Sequence, residues 1–161
     1  MRKYFKLNLQ QLRRWIIMSI SKKWLSGSQI DDMSSMSLHT ISAVVATSDG
    51  QVLLQKGAYP GLEKWWSVPE DNLQFGENPE EGARRILREQ AHVEVKSLRL
   101  LYVQSSVYKD VHWDLWFIYA AEVEGDPSSG EGNWEVKYFS IDKLPENVHP
   151  LDKPDIEKFA K

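Results

Sequence analysis

The chain has 161 residues, a formal net charge of −3 and no cysteine. That length supports one domain with a sizeable core and a short extension. The missing cysteine excludes disulfides, thiolate nucleophiles and cysteine-held zinc, and no apolar run is long enough to span a bilayer.

Charge is uneven along the chain. Arg2, Lys3, Lys6, Arg13, Arg14, Lys22 and Lys23 all precede the first acid, Asp31. The remainder is therefore clearly acidic. An acidic body argues against a protein that coats nucleic acid, while the basic arm suits an anionic surface.

Residues 8–25 are predicted to be a helix, because Leu9, Leu12, Ile16, Ile20 and Trp24 follow three- and four-residue steps. Three readings of it stay open. The plainest docks it on its own domain or on a second subunit. Another lays it on a membrane surface, peripheral to an otherwise cytoplasmic protein. The third makes it a targeting segment or a mis-assigned start, since Met18, Met33 and Met36 could each begin a shorter chain. A secretory signal fits poorly: the apolar run Trp15–Ile20 is short, and Lys22 and Lys23 follow it. Residues 26–37 form a polar linker. The chain thus divides into an N-terminal arm, residues 1–35, and a folded domain, residues 36–161.

The domain opens with two strands around Asp49-Gly50, a strong hairpin signal. Pro60 and Gly61 break the next stretch, and Trp65–Val68 returns to a strand. An acidic loop containing Glu70 and Asp71 leads to a well-marked helix. Asn78 is a good N-cap, Pro79 suits the first helical position, and Glu80 and Glu81 complement the positive end of the dipole. Ala83, Leu87 and Ala91 make its core face. Two long strands follow, with Lys109-Asp110 at the turn between them. His112, Trp113 and Trp116 on the second could stack a base or sugar, although large aromatics on strands are more often core. A strand over Trp134–Ile141 and a short final helix capped by Asp152 complete the chain. His39, His92, His112 and His149 are scattered and form no zinc cluster.

The segment from Trp65 to Val95 resembles the Nudix box. Glu77, Arg85, Leu87, Glu89 and Val93 stand at the box's glutamate, arginine, apolar, paired-glutamate and closing apolar positions. The hairpin before it, the Trp66 to Pro69 approach and the Glu135–Pro145 segment are similar to the family too. The resemblance covers about residues 38–145. It implies an α/β/α sandwich with a mixed sheet, to which the N-terminal amphipathic helix is added. It implies a nucleoside diphosphate linked to another moiety as the small-molecule partner, and magnesium or manganese as cofactor. It also makes Glu77 and Arg85 a structural ion pair.

The departures fall on the chemistry. Asp71 stands at the box's opening glycine and Glu70 just before it. Ile86 replaces the glutamate after the arginine, Gln90 the second paired glutamate, and His92 the closing glycine. Diphosphate hydrolysis needs a divalent cation to neutralise oxygen charge and activate water, and magnesium wants several hard oxygen ligands. Here Glu89 is the expected catalytic residue and metal ligand, helped by the Gln90 amide and by Glu70 and Asp71 if they point inward. Glu131 or Glu135 could also act from the later segment.

Three functions stay open. One is a pyrophosphohydrolase with weak, altered or lost activity. The second is a non-catalytic, metal-free module that binds a nucleotide or a protein. The third is a GDP-sugar glycosyl hydrolase, since GDP-mannose mannosyl hydrolases resemble Nudix proteins with an apolar residue after the arginine, and Asn147-Val148-His149 is similar to that group.

Overall fold

A computed structural model describes residues 37–57, 63–108, 112–130 and 135–160. The helix predicted over residues 8–25 lies outside these. The chain forms two compact units. The larger joins His39–Ser106 to Asp114–Lys161, and the smaller joins Met1–Leu38 to Val107–Trp113.

Strands β1 (Ser37–Ser48) and β2 (Gln51–Lys56) form the predicted hairpin, with Thr47 opposite Val52 and Ser48 opposite Gln51. Asp49 has φ 47° and Gly50 φ 74°. A two-residue hairpin turn whose twist matches its strands needs positive φ at both positions, which aspartate tolerates and glycine adopts freely. Then come β3 (Trp66–Ser67), β4 (Glu70–Asn72), α1 (Pro79–Ala91), β5 (Glu94–Tyr108), β6 (His112–Glu124), β7 (Glu135–Ser140), a 3-10 turn (Ile141–Lys143) and α2 (Lys153–Phe159).

The strand order is β3-β2-β1-β6-β5, with β4 added to β1 and β7 to β2. The pairs β1–β2, β1–β4, β2–β3 and β2–β7 are antiparallel, and a parallel bridge joins Trp66 to Val148. The sheet is therefore mixed. β4 corrects the sequence reading, which left these residues in a loop. Glu, Asp and Asn are poor strand formers, yet β1 offers a free edge, and Asn72, Asp71 and Glu70 pair with Ile41, Ser42 and Ala43.

Side chains alternate across β1, so the sheet feeds two cores. Val44 and Ala46, with Leu53 of β2, pack against Ala83, Leu87 and Ala91 of α1. Ala43 and Val45, with Val52 and Leu54, pack against Trp66, Val68, Val148 and Ile156 of α2. One helix thus covers each face. Among the described residues, no helix is long and apolar enough to cross a membrane.

The two ends of α1 are closed differently. Asn78 Oδ1 accepts from the Glu80 N–H at 2.9 Å, satisfying one of the orphan donors of the first turn. Gly82 is buried, and a Cβ there would run into the Leu73 side chain, so glycine lets the preceding loop lie against the helix. At the other end His92 takes the left-handed conformation, φ 54° and ψ 36°, that glycine usually supplies. Its N–H reaches the Arg88 carbonyl at 3.2 Å, and its Nδ1 lies 2.9 Å from Ser128 Oγ.

Candidate functional site

Arg85 organises the α1 side. Its Nε and Nη2 meet the two Glu77 oxygens at 2.7 and 3.0 Å, a bidentate pair. Nη2 also donates to the Asn72 carbonyl at 3.0 Å. Nη1 reaches Glu89 Oε2 at 3.2 Å and Asp71 Oδ2 at 3.6 Å. The planar five-donor guanidinium can serve all of these at once. Glu77 also accepts from the Gln74 N–H at 2.8 Å. The hydrogen bond from Arg85 is the main reason the Glu77 carboxyl sits below the usual carboxylate range. One cation therefore pins the loop to the helix and holds three acids around it.

β4 separates the two acids that the sequence placed side by side. Asp71 lies opposite Ser42, whose Oγ donates to the Pro79 carbonyl at 3.0 Å, so it faces α1. Glu70 lies opposite Ala43, a member of the α2-side core, so its side chain turns to the other face. There it is half-buried near Asp152. Burial, then the Asp152 charge, then Asp71, push its carboxyl up to about 8. Asp152 is pushed up to about 7 by burial, opposed by the Val68 N–H that donates to Oδ2 at 3.1 Å, and raised further by Asp155. Two carboxyls withdrawn from water beside each other favour holding a proton.

The remaining box positions are occupied as follows. Ile86 is fully buried. Gln90 is buried as well, and its Nε2 donates to the Glu70 carbonyl at 2.9 Å. An amide N–H is thus directed at the loop carbonyl. Glu89 remains exposed on the helix, turned toward Arg85. Glu80 pairs with Arg84 at 3.3 Å, one turn on. Glu135 is tied to Lys137, and Glu131 lies outside the described residues.

The aromatic candidates separate too. Trp116 packs against the α2-side core, and its Nε1 donates to Ser106 Oγ at 3.3 Å. Trp113 is exposed at the start of β6. The Asn147-Val148-His149 segment fastens to β3: the Trp66 N–H donates to the Asn147 carbonyl at 2.9 Å, and the His149 N–H to the Trp66 carbonyl at 2.7 Å. Burial lowers the His149 pKa.

Asp152 is the residue that sequence reasoning misplaced. It does precede α2, but its carboxylate makes no cap bond there and serves Val68 instead. Asp155 was not singled out; it accepts from Tyr102 Oη at 2.5 Å. A second acid three residues after the expected cap was the available signal.

The family model for the NUDIX domain matches residues 36–160. Among solved structures, a MutT NUDIX hydrolase from Burkholderia pseudomallei superposes with a TM-score of 0.66 at 20% identity, covering 76% of this chain and 98% of that one. A NUDIX-family hydrolase from Clostridium perfringens gives 0.63 at 19% identity over 76% and 95%. A MutT protein from Bacillus halodurans gives 0.60 at 24% identity over 74% and 80%. No curated protein matches the chain.

Proposed function

This chain belongs to the Nudix family, and on that premise we propose that it binds a nucleoside diphosphate linked to a second group and hydrolyses it weakly or not at all. The family generally uses a divalent metal, so the first question is whether the donors here fit one. They fit poorly. A hard cation needs several oxygens with negative charge, and the helix offers the single carboxylate of Glu89, already turned toward Arg85. Gln90 presents its N–H to the Glu70 carbonyl rather than an oxygen to a cation. Asp71 stands at the rim of the Arg85 cluster, and Glu70 turns to the opposite face.

The observation that carries the reading is the burial of Ile86. At the position where the family's box has a glutamate, this side chain is closed into the protein interior and can neither ligate nor accept a proton. Of the four candidate donors we retain Glu89 as the ligand for magnesium or manganese. The loop that would cradle the diphosphate is kept intact by Glu77 and Arg85, which need no metal. At its limit the proposal describes a nucleotide-binding module without turnover.

Calorimetric titration of magnesium and manganese, with and without ADP-ribose, tests this when cleavage of the diphosphate is followed in parallel. The expected result is nucleotide binding that depends little on metal, with slow turnover reduced further in Glu89→Gln. Fast metal-dependent turnover that survives Glu89→Gln would sink the proposal. Failure to bind any nucleotide would redirect attention to a protein-binding role.

A further inference from the structure

Leu38, Val107 and Trp113 are exposed to 54, 55 and 37%. They lie on strands that neighbour one another in the order β1-β6-β5. Two side-chain contacts fix which way they point. His39 Nδ1 lies 3.4 Å from Asp114 Oδ1, so these two share a face, and their chain neighbours Leu38 and Trp113 turn to the other. Trp116 meets Ser106, so Val107 and Trp113, an odd number of residues from each, again share the opposite face. Three large apolar side chains are thus gathered on one face at one end of the sheet. Apolar side chains gathered in this way offer a surface patch on which a further apolar element can pack.

The occupant is argued from the chain itself. Leu38 belongs to the patch and is also where the chain enters the domain. Residues 26–36, a polar stretch of sequence ahead of β1, span at most about 40 Å when extended. Directly before this stretch lies the apolar stripe Leu9, Leu12, Ile16, Ile20 and Trp24, with Arg14 and Lys22 on the opposite side and Arg13 and Lys23 within its arc, where their long stems can lie along apolar surface. The sequence therefore brings an apolar stripe within linker reach of these exposed side chains. We propose that residues 8–25 fold as an amphipathic helix whose stripe packs on Leu38, Val107 and Trp113 of the same chain. A tethered segment has a high effective concentration, which favours this over a separate partner.

The test uses the full chain. Val107→Asp and Ile16→Asp are made singly and together, with Gln104→Asp, at an exposed position on the same strand, as baseline. Each of the first two should lower Tm by about 4 °C beyond the baseline, and the double variant should fall little further, because both break one contact. A second readout does not depend on a destabilised variant. The chain has no cysteine, so an Ile16→Cys/Val107→Cys pair should close within one chain on mild oxidation, and an Arg14→Cys/Val107→Cys pair, from the opposite side of the helix, should not. Several results would overturn the proposal. One is Val107→Asp and Ile16→Asp matching the baseline, with no closure of the cysteine pair. Another is closure only between two chains, with a dimer mass, which would assign the patch to a second copy. A third is flotation of the wild type with phosphatidylserine vesicles that Ile16→Asp abolishes while Val107→Asp leaves Tm unchanged, which would assign the stripe to lipid.

Discussion

The two faces of β4 carry acids that meet opposite fates. On the α1 face Asp71, Glu77 and Glu89 gather around Arg85. On the α2 face Glu70 and Asp152 are withdrawn from water, and His149 Nδ1 lies 4.0 Å from Asp152 Oδ1. The Arg85 guanidinium binds the first group, and its hydrogen bond holds the Glu77 carboxyl below the usual carboxylate range. Burial dominates the second group, and its members rise to about 8 and about 7. Counting carboxylates in the loop would have pooled them. What decides their chemistry is which way each one faces.

The largest expected effect comes from removing the cation. Arg85→Met leaves Glu77 facing Glu89 and Asp71 uncompensated, and should cost about 3 kcal/mol in urea unfolding, the scale for breaking a largely buried pair from one side. A loss below about 1 kcal/mol would mean that the cluster behaves like a surface ion pair and the contrast drawn above fails.

Next in size is the dependence on pH. Glu70 and Asp152 have folded values above their unfolded ones, so the stability they contribute is complete below about pH 4 and lost as pH rises through about 7 and 8. Glu77 has the opposite sign: its contribution is present above its unfolded value and lost as pH falls. Wild-type Tm should therefore decline from pH 6 to pH 9 and also on acidification well below pH 5. Glu70→Gln should flatten the alkaline slope and leave the acid one. An unchanged alkaline slope in that variant would show that the α2-side acids are not the source.

These contrasts also mark how far the sequence could be read. The hairpin was legible because Asp49-Gly50 leaves the backbone few alternatives. The start of α1 was legible because Asn78, Pro79 and the following acids agree. The family likeness carried the Glu77–Arg85 pair. What could not be read was β4. Three polar residues of low strand propensity give no period, so Glu70 and Asp71 looked like one loop charge, and only the pairing with β1 turns them apart. Asp152 was hidden by its own plausibility as a cap. Its partnership with Val68 and Glu70 spans more than eighty positions and exists only once the two faces of the sheet are closed. The helix over residues 8–25 lies outside the described residues.

Two smaller effects sharpen the account of α1, which positions the site. Asn78→Ala should cost about 1 kcal/mol, the usual worth of an N-cap, measured by chemical denaturation. His92→Gly relieves a left-handed non-glycine residue and should gain up to about 1 kcal/mol, less whatever the contact with Ser128 contributes. A destabilised His92→Gly would mean that this contact outweighs the backbone strain.

The central claim is that the α1 face lacks the acids that hold a divalent metal. The most direct measurement restores them. Manganese binding and ADP-ribose cleavage are compared between the wild type and the Ile86→Glu/Gln90→Glu double variant, with thermal stability read in chelator and in excess manganese. The expected result is weak binding and slow cleavage by the wild type. The double variant should be destabilised in chelator by its buried glutamate, rescued by manganese, and bind the metal at least tenfold more tightly, about 1.4 kcal/mol. Tight manganese binding and fast cleavage by the wild type, unimproved by the two glutamates, would contradict the account.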